Sequence, residues 1–186
     1  QIRDLPEGFI GRVEKFLNEC ELSINEISKL LDRNKLYLNR MLDVGTITPE
    51  DAITWGLTGP NLRGSGITRD LRKNTPYLGY EQYDFDIPVG ENGDSYDRYL
   101  VRMEEMRQSI RIIRQLIATL PDGPVNIADS KNLLPAKEKV LTSMEELIHH
   151  FIIATQGIDA PEGEVYFAAE NPKGELGFYI NSKGGG

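Results

Sequence analysis

Residues 95–120 read SYDRYLVRMEEMRQSIRIIRQLIATL, and this run decides the fold. Tyr96, Tyr99, Met103, Met106, Ile110, Ile113, Ile117 and Leu120 alternate at spacings of three and four, which places them on one face of a helix. Leu100, Ile112 and Leu116 widen that stripe beyond a coiled-coil seam. Asp94 and Asp97 put acids where the helix opens, and Pro121 closes it. So broad an apolar face predicts a core helix of a bundle.

Upstream, Phe9, Val13, Phe16, Cys20, Ile24, Ile27 and Leu31 recur at the same spacings and predict a long first helix. Asp4 suits its N-cap and Pro6 its first turn. A bend is expected near Asn34. Thr48-Pro49-Glu50-Asp51 has the cap, proline and acids of a short helix that ends at Gly56. Downstream, Val140, Leu141, Met144, Leu147, Ile148, Phe151 and Ile152 predict a last helix over Pro135 to Gln156, capped by Gly157. Beyond it, Glu164–Ala168 and Leu176–Ile180 read as strands joined by an Asn171-Pro172-Lys173-Gly174 turn. A lone two-stranded hairpin is marginal in water and needs a surface to lie on.

Between the helical regions, residues 58–95 lack any sustained period and carry repeated Gly and Pro with Tyr77, Tyr80, Tyr83 and Phe85. A stretch of that length is not a passive connector, and its aromatics imply packing. The expected fold class is therefore mainly α: a helical bundle with a long irregular Gly/Pro/Tyr loop and a small C-terminal β-hairpin. Within one unit, 1–57 is helical, 58–95 the long loop, 96–157 the core helices and 164–181 the hairpin.

The 186 residues suffice for one domain with a sizeable core. A net charge of −8 argues against nucleic acid as a partner, because such binding rests on excess Lys and Arg. The single cysteine, Cys20, excludes a disulfide framework, and its place on an apolar stripe suits a buried side chain. No apolar run approaches the roughly 20 residues that span a bilayer. The charge is uneven: residues 61–120 hold nine basic and nine acidic side chains, while the flanking regions are acidic. Eight of those nine cations are Arg, the residue whose planar fork holds carboxylates bidentately, although a solvated helix face would also use them.

No motif supports catalysis on its own residues. Gly59 and Gly64 have Walker-loop spacing, but Ser65-Gly66 stands where Lys-Ser/Thr is required. Gly64-Ser65-Gly66 could open a dinucleotide fingerprint, yet Arg69 holds the third glycine's place. The alternative is a tight turn whose glycines let backbone approach closely. His149 and His150 are adjacent on a helix and diverge by about 100°, so they cannot chelate one metal. Glu104/Glu105 and Glu145/Glu146 read as solvated faces.

The middle of the chain resembles one family. Gly59-Pro60-Asn61-Leu62-Arg63-Gly64-Ser65-Gly66, Asp70-Leu71-Arg72-Lys73, Tyr77 and Tyr80, Phe85–Gly90, Gly93–Tyr99 and Arg102–Arg107 carry the likeness. It continues through Ser143–Phe151, Gly163-Glu164-Val165-Tyr166 and Pro172-Lys173-Gly174-Glu175. In order and spacing this is similar to the D-subunit, or forty-nine-kilodalton-type, family of NADH:quinone oxidoreductase, respiratory complex I. Gln156 and Asn181-Ser182-Lys183 depart from the family's pattern only at a helix end and a hairpin rim.

That resemblance implies an internal fragment of a hydrogenase-large-subunit-like fold, with the Gln1 start and the Gly184–Gly186 end expected to be cuts in a larger subunit. It implies a peripheral place on the cytoplasmic side of the bacterial inner membrane, or the matrix side in mitochondria. Partners would be the iron–sulfur B subunit and the C subunit, framing a site for quinone. NADH, FMN, iron–sulfur clusters and quinone serve the whole complex, and no catalytic, cofactor or metal residue of the family falls on this segment. The expected structural or interface residues are Arg63, Gly64, Gly66, Asp70 and Arg72 in the loop, with Asp97, Arg98 and Arg102 at the start of the core helix. Two other readings stay open: a segment of a nickel–iron hydrogenase-type large subunit, whose paired Cys ligands would lie outside this window, and a free-standing helical binding module.

Overall fold

The computed structural model describes residues 4–125, 133–158 and 160–184. Gln1, Gly185 and Gly186, expected at cut ends, lie outside the described residues. In chain order the elements are α1 (Phe9–Leu31), α2 (Lys35–Met41), α3 (Pro49–Thr54), α4 (Gly59–Gly64), α5 (Leu71–Asn74), a single 3-10 turn (Tyr80–Gln82), α6 (Ser95–Ala118), α7 (Lys137–Val140), α8 (Met144–Gln156), β1 (Gly163–Asn171) and β2 (Gly174–Ser182). Among the described residues the chain is helix-rich, with one two-stranded sheet formed by the hairpin β1–β2.

Two compact units divide the chain. Residues 5–121 form the first together with the hairpin tip, 168–177. Its core lies along α6, where Met103 and Ile110 bury against Leu17 and Ile24 of α1, with Val13, Cys20, Tyr99, Ile113 and Ile117 packed around them. Asp94 caps α6 by accepting the Asp97 backbone N–H at 2.8 Å. A second stripe of α6, Val101, Gln108 and Ile112, is buried as well. Gln108 there accepts the Asp86 backbone N–H at 3.0 Å, so the 58–95 region packs on that side.

The rest of the described chain, including α7, α8 and the bases of the two strands, makes the second unit. None of the residues of α8 is buried, and Leu147, Ile148 and Phe151 are each more than half exposed. Among the described residues, no helix is long and apolar enough to cross a membrane.

Several local expectations need correction. The first helix begins after Gly8 in the left-handed region, without a side-chain cap; Asp4 and Pro6 precede it, and the Phe9 N–H donates to Pro6 O. The buried stripe of α1 runs through Leu17 rather than Phe16, which is 61% exposed. The loop 58–95 contains α4, α5 and the 3-10 turn, because Asp70 caps a helical turn and Pro60 sits in the first turn of another. The last helix is broken at Leu141–Ser143, where Thr142 and Ser143 return their N–H groups to Lys139 O. The strands are longer than the apolar runs suggested, nine residues each.

Candidate structural site

Arg63 stands on α4 with its side chain only 1% exposed. Its Nε donates to Glu105 Oε1 on α6 at 2.8 Å, and its Nη2 donates to the same oxygen. Nη1 donates to the Arg69 carbonyl at 2.7 Å and to Glu170 Oε1 at the hairpin tip at 2.9 Å. One guanidinium thus joins α4, the turn before α5, α6 and β1. Every N–H direction it uses meets an acceptor, which a buried cation requires.

Asp70 lies beside it, fully buried, 3.8 Å from Arg63 Nη1. Arg72 grips it with both arms of the fork, Nε to Oδ1 at 3.0 Å and Nη2 to Oδ2 at 2.6 Å, while Oδ1 also accepts the Arg72 backbone N–H at 2.9 Å. Burial alone would push the Asp70 carboxyl pKa up; the hydrogen bonds and charge of Arg72, with Arg63 behind them, reverse this and hold it below the ordinary aspartate value. Arg72 also sits over the Phe85 ring, 5.0 Å from its centre. Glu170 completes the cluster: Oε2 accepts the Leu71 N–H at 3.2 Å, and its own N–H donates to the Tyr77 hydroxyl at 2.9 Å.

Glycine brings the hairpin tip close enough to do this. The Glu175 N–H donates to Thr58 Oγ1 at 3.0 Å, and a Cβ at Gly59 (φ +64°) would run into the backbone of Gly174. Arg69 pairs with Glu175 at 3.3 Å on the exposed side of the same contact.

The remaining expected residues hold backbone rather than each other. Asp97 is buried in the first turn of α6, and its Oδ2 accepts the N–H groups of Glu91, at 2.8 Å, and Asn92. Arg98 donates to the carbonyls of Gly93 and Gly45, both at 2.8 Å, and to Ser95 Oγ at 3.0 Å. Arg102 is exposed and donates to the Pro172 carbonyl at 3.3 Å. None of these three forms an ion pair among the described residues. Gly64 is buried, and a Cβ there would lie 2.7 Å from Arg98 Cγ; Gly66 is exposed at φ +90°. The structure therefore gathers Arg63, Asp70 and Arg72 into one cluster, places Arg102 at the edge of the cavity beside it, and sets Asp97 and Arg98 apart.

Two cluster members escaped the sequence reading. Glu105, expected on a solvated face, is 15% exposed. Its phase held the signal, because Glu105 falls in line at helical spacing with the buried Val101, Gln108 and Ile112. Glu170 carries no local signal; only the hairpin's docking brings it to Arg63.

A cavity of about 550 Å³ opens beside the cluster, bounded by Arg63, Arg72, Tyr80, Glu105, Met106 and Glu170 among others. Among the described residues no three His, Cys, Asp or Glu side chains make a metal-binding group.

What this fold and cluster define is a helix-rich protein whose irregular segment is riveted to a long helix by buried guanidinium–carboxylate bonds. The chain belongs to the family described as respiratory-chain NADH dehydrogenase, 49 Kd subunit, whose model matches residues 2–186. It is 59% identical over 186 residues to the NADH-quinone oxidoreductase D subunit of Akkermansia muciniphila, covering 100% of this chain and 45% of that protein. The D subunit of Methylacidiphilum infernorum is 58% identical over 184 residues, 99% of this chain and 44% of its own length. A D subunit of Opitutus terrae is 59% identical over 185 residues, 99% and 43% respectively. The chain thus spans less than half the length of these relatives.

Proposed function

We propose that the chain is a segment of the D subunit of a proton-pumping NADH:quinone oxidoreductase, in which it serves as scaffold and subunit interface of the peripheral arm. The complete subunit, with the iron–sulfur B subunit, would frame the quinone-reduction site, and the C subunit would be a further neighbour. NADH, FMN, iron–sulfur clusters and quinone belong to the whole complex in this reading, and the isolated segment is inactive. Its place is peripheral, on the cytoplasmic side of a bacterial inner membrane or the matrix side of a mitochondrial one, in a hydrogenase-large-subunit-like fold.

Family membership and the names of the relatives support this reading over a hydrogenase-type segment or a free-standing module. The observation that carries the scaffold role is Arg63, buried and bonded to carboxylates on α6 and at the hairpin tip. The exposed apolar side chains of α8 and the strands, such as Phe151, Phe178 and Ile180, favour an interface role. The test is Arg72→Ala in the complete subunit, reading the amount of assembled complex and its quinone-reductase rate. A fall in both is expected; normal assembly at a normal rate would overturn the role.

A further inference from the structure

The charges that meet at Arg63 do not balance. Two guanidiniums, Arg63 and Arg72, face three carboxylates, Asp70, Glu105 and Glu170, and none of the five side chains is more than 15% exposed. Asp70 uses both its oxygens on Arg72. Glu170 uses Oε1 on Arg63 and Oε2 on the Leu71 N–H. Glu105 differs, because both bonds from Arg63 end on Oε1. No donor among the described residues reaches Oε2, and Glu105 lines the cavity of about 550 Å³. An excess of one negative charge, a carboxylate oxygen without a donor and an opening to that residue therefore coincide.

We propose that Glu105 is a proton-binding site, its Oε2 taking one proton from solvent through the cavity while Oε1 keeps both Arg63 bonds. The step adds a proton and moves no electrons; the five side chains pass from one excess negative charge to neutrality, the exposed Arg102 cation at the cavity edge standing outside that sum. The surroundings favour this. Burial raises the Glu105 carboxyl pKa, and the charge of Glu170 adds to the rise; the charge and hydrogen bonds of Arg63 and the charge of Arg72 oppose it without cancelling it. Among the described residues, titratable and charged groups face this site from five elements. Arg63 comes from α4, Asp70 and Arg72 from α5 and its cap, Glu170 from β1 and Tyr80 from the 3-10 turn. On α6 itself, Arg102 lines the cavity and gives its hydrogen bond to the Pro172 carbonyl, while neighbouring Glu104 is taken by Arg107 at 3.2 Å. The proposal concerns the cluster alone and does not depend on the role in the respiratory complex.

The experiment is carbon-13 NMR of the glutamate carboxyl carbons of the 186-residue chain, followed through pH. One signal is expected to titrate above the chain's exposed glutamates, to vanish in Glu105→Gln, and to move to lower pH in Glu170→Gln, where the neighbouring like charge is gone. Glu105→Gln keeps an acceptor at Oε1. If that variant fails to fold, side-chain correlation in the unaltered chain assigns the signal instead. A Glu105 signal that titrates with or below the exposed glutamates, or that ignores Glu170→Gln, overturns the proposal.

Discussion

At Arg63 a guanidinium 1% exposed serves two carboxylates and a main-chain carbonyl. Removing one partner of such a buried set leaves the others desolvated and unpaired, which typically costs about 3–5 kcal/mol. Arg63→Met is expected to lower the unfolding free energy of the chain by about that amount in urea titration. The double variant with Glu105→Leu should recover part of the loss, since an apolar pair removes the stranded charge. The pH dependence has two opposing parts. Asp70 and Asp94 have depressed carboxyl pKa values: burial would raise both, but Arg72 overrides it at Asp70, and at Asp94 the backbone N–H groups of Asp97, Asp43 and Tyr96 do. Their stabilisation is fully present above the ordinary aspartate range and is lost as pH falls through the depressed values. Glu105, with its raised value, contributes stability below the ordinary glutamate range that disappears as pH rises through the folded value. Urea titrations across acid pH should therefore show Asp70→Asn flattening the low-pH loss, and Glu105→Gln removing a decline at higher pH.

α6 is the element against which α1, α2 and α4 pack, and the two faces it buries differ in chemistry. The face toward α1 is apolar, so Leu17→Ala there should cost about 2–5 kcal/mol. No residue of α8 is buried and Leu147 is half exposed, so Leu147→Ala should change stability by only about 0.5 kcal/mol. Comparing the two by thermal or urea unfolding separates the buried face from the exposed one. The long helices α1 and α6 were legible from their 3.6-residue period, and Thr48 caps α3 where its sequence indicated. Glu105 was misread because its charge outweighed its phase. The contact of the hairpin tip with α4 was not legible, since Gly59 and Gly174 are 115 residues apart and only the folded backbone brings them together. Gly59→Ala should strain a left-handed position and push on Gly174, with a marked loss of stability in the same assay.

Across the described residues exposed apolar side chains are numerous, from Leu30, Leu36, Trp55 and Leu78 to those of α8 and the strands beyond the hairpin tip. Leu147, Phe151, Tyr166, Phe167, Phe178 and Ile180 are each more than half exposed. Such surface in water drives association, so sedimentation should show the chain self-associating as its concentration rises. The single cysteine excluded a disulfide within the chain, and ordered motifs pointed to the family. Which carboxylates would neutralise the Arg-rich middle needed the fold, because one of them comes from the hairpin. The most direct test of the scaffold role is Arg63→Lys in the complete subunit, measured as the amount of assembled oxidoreductase. Lysine keeps the charge but not the fork that reaches Glu105, Glu170 and the Arg69 carbonyl together. The expected result is a marked loss of assembled complex; wild-type amounts of complex with an unchanged quinone-reductase rate would contradict it.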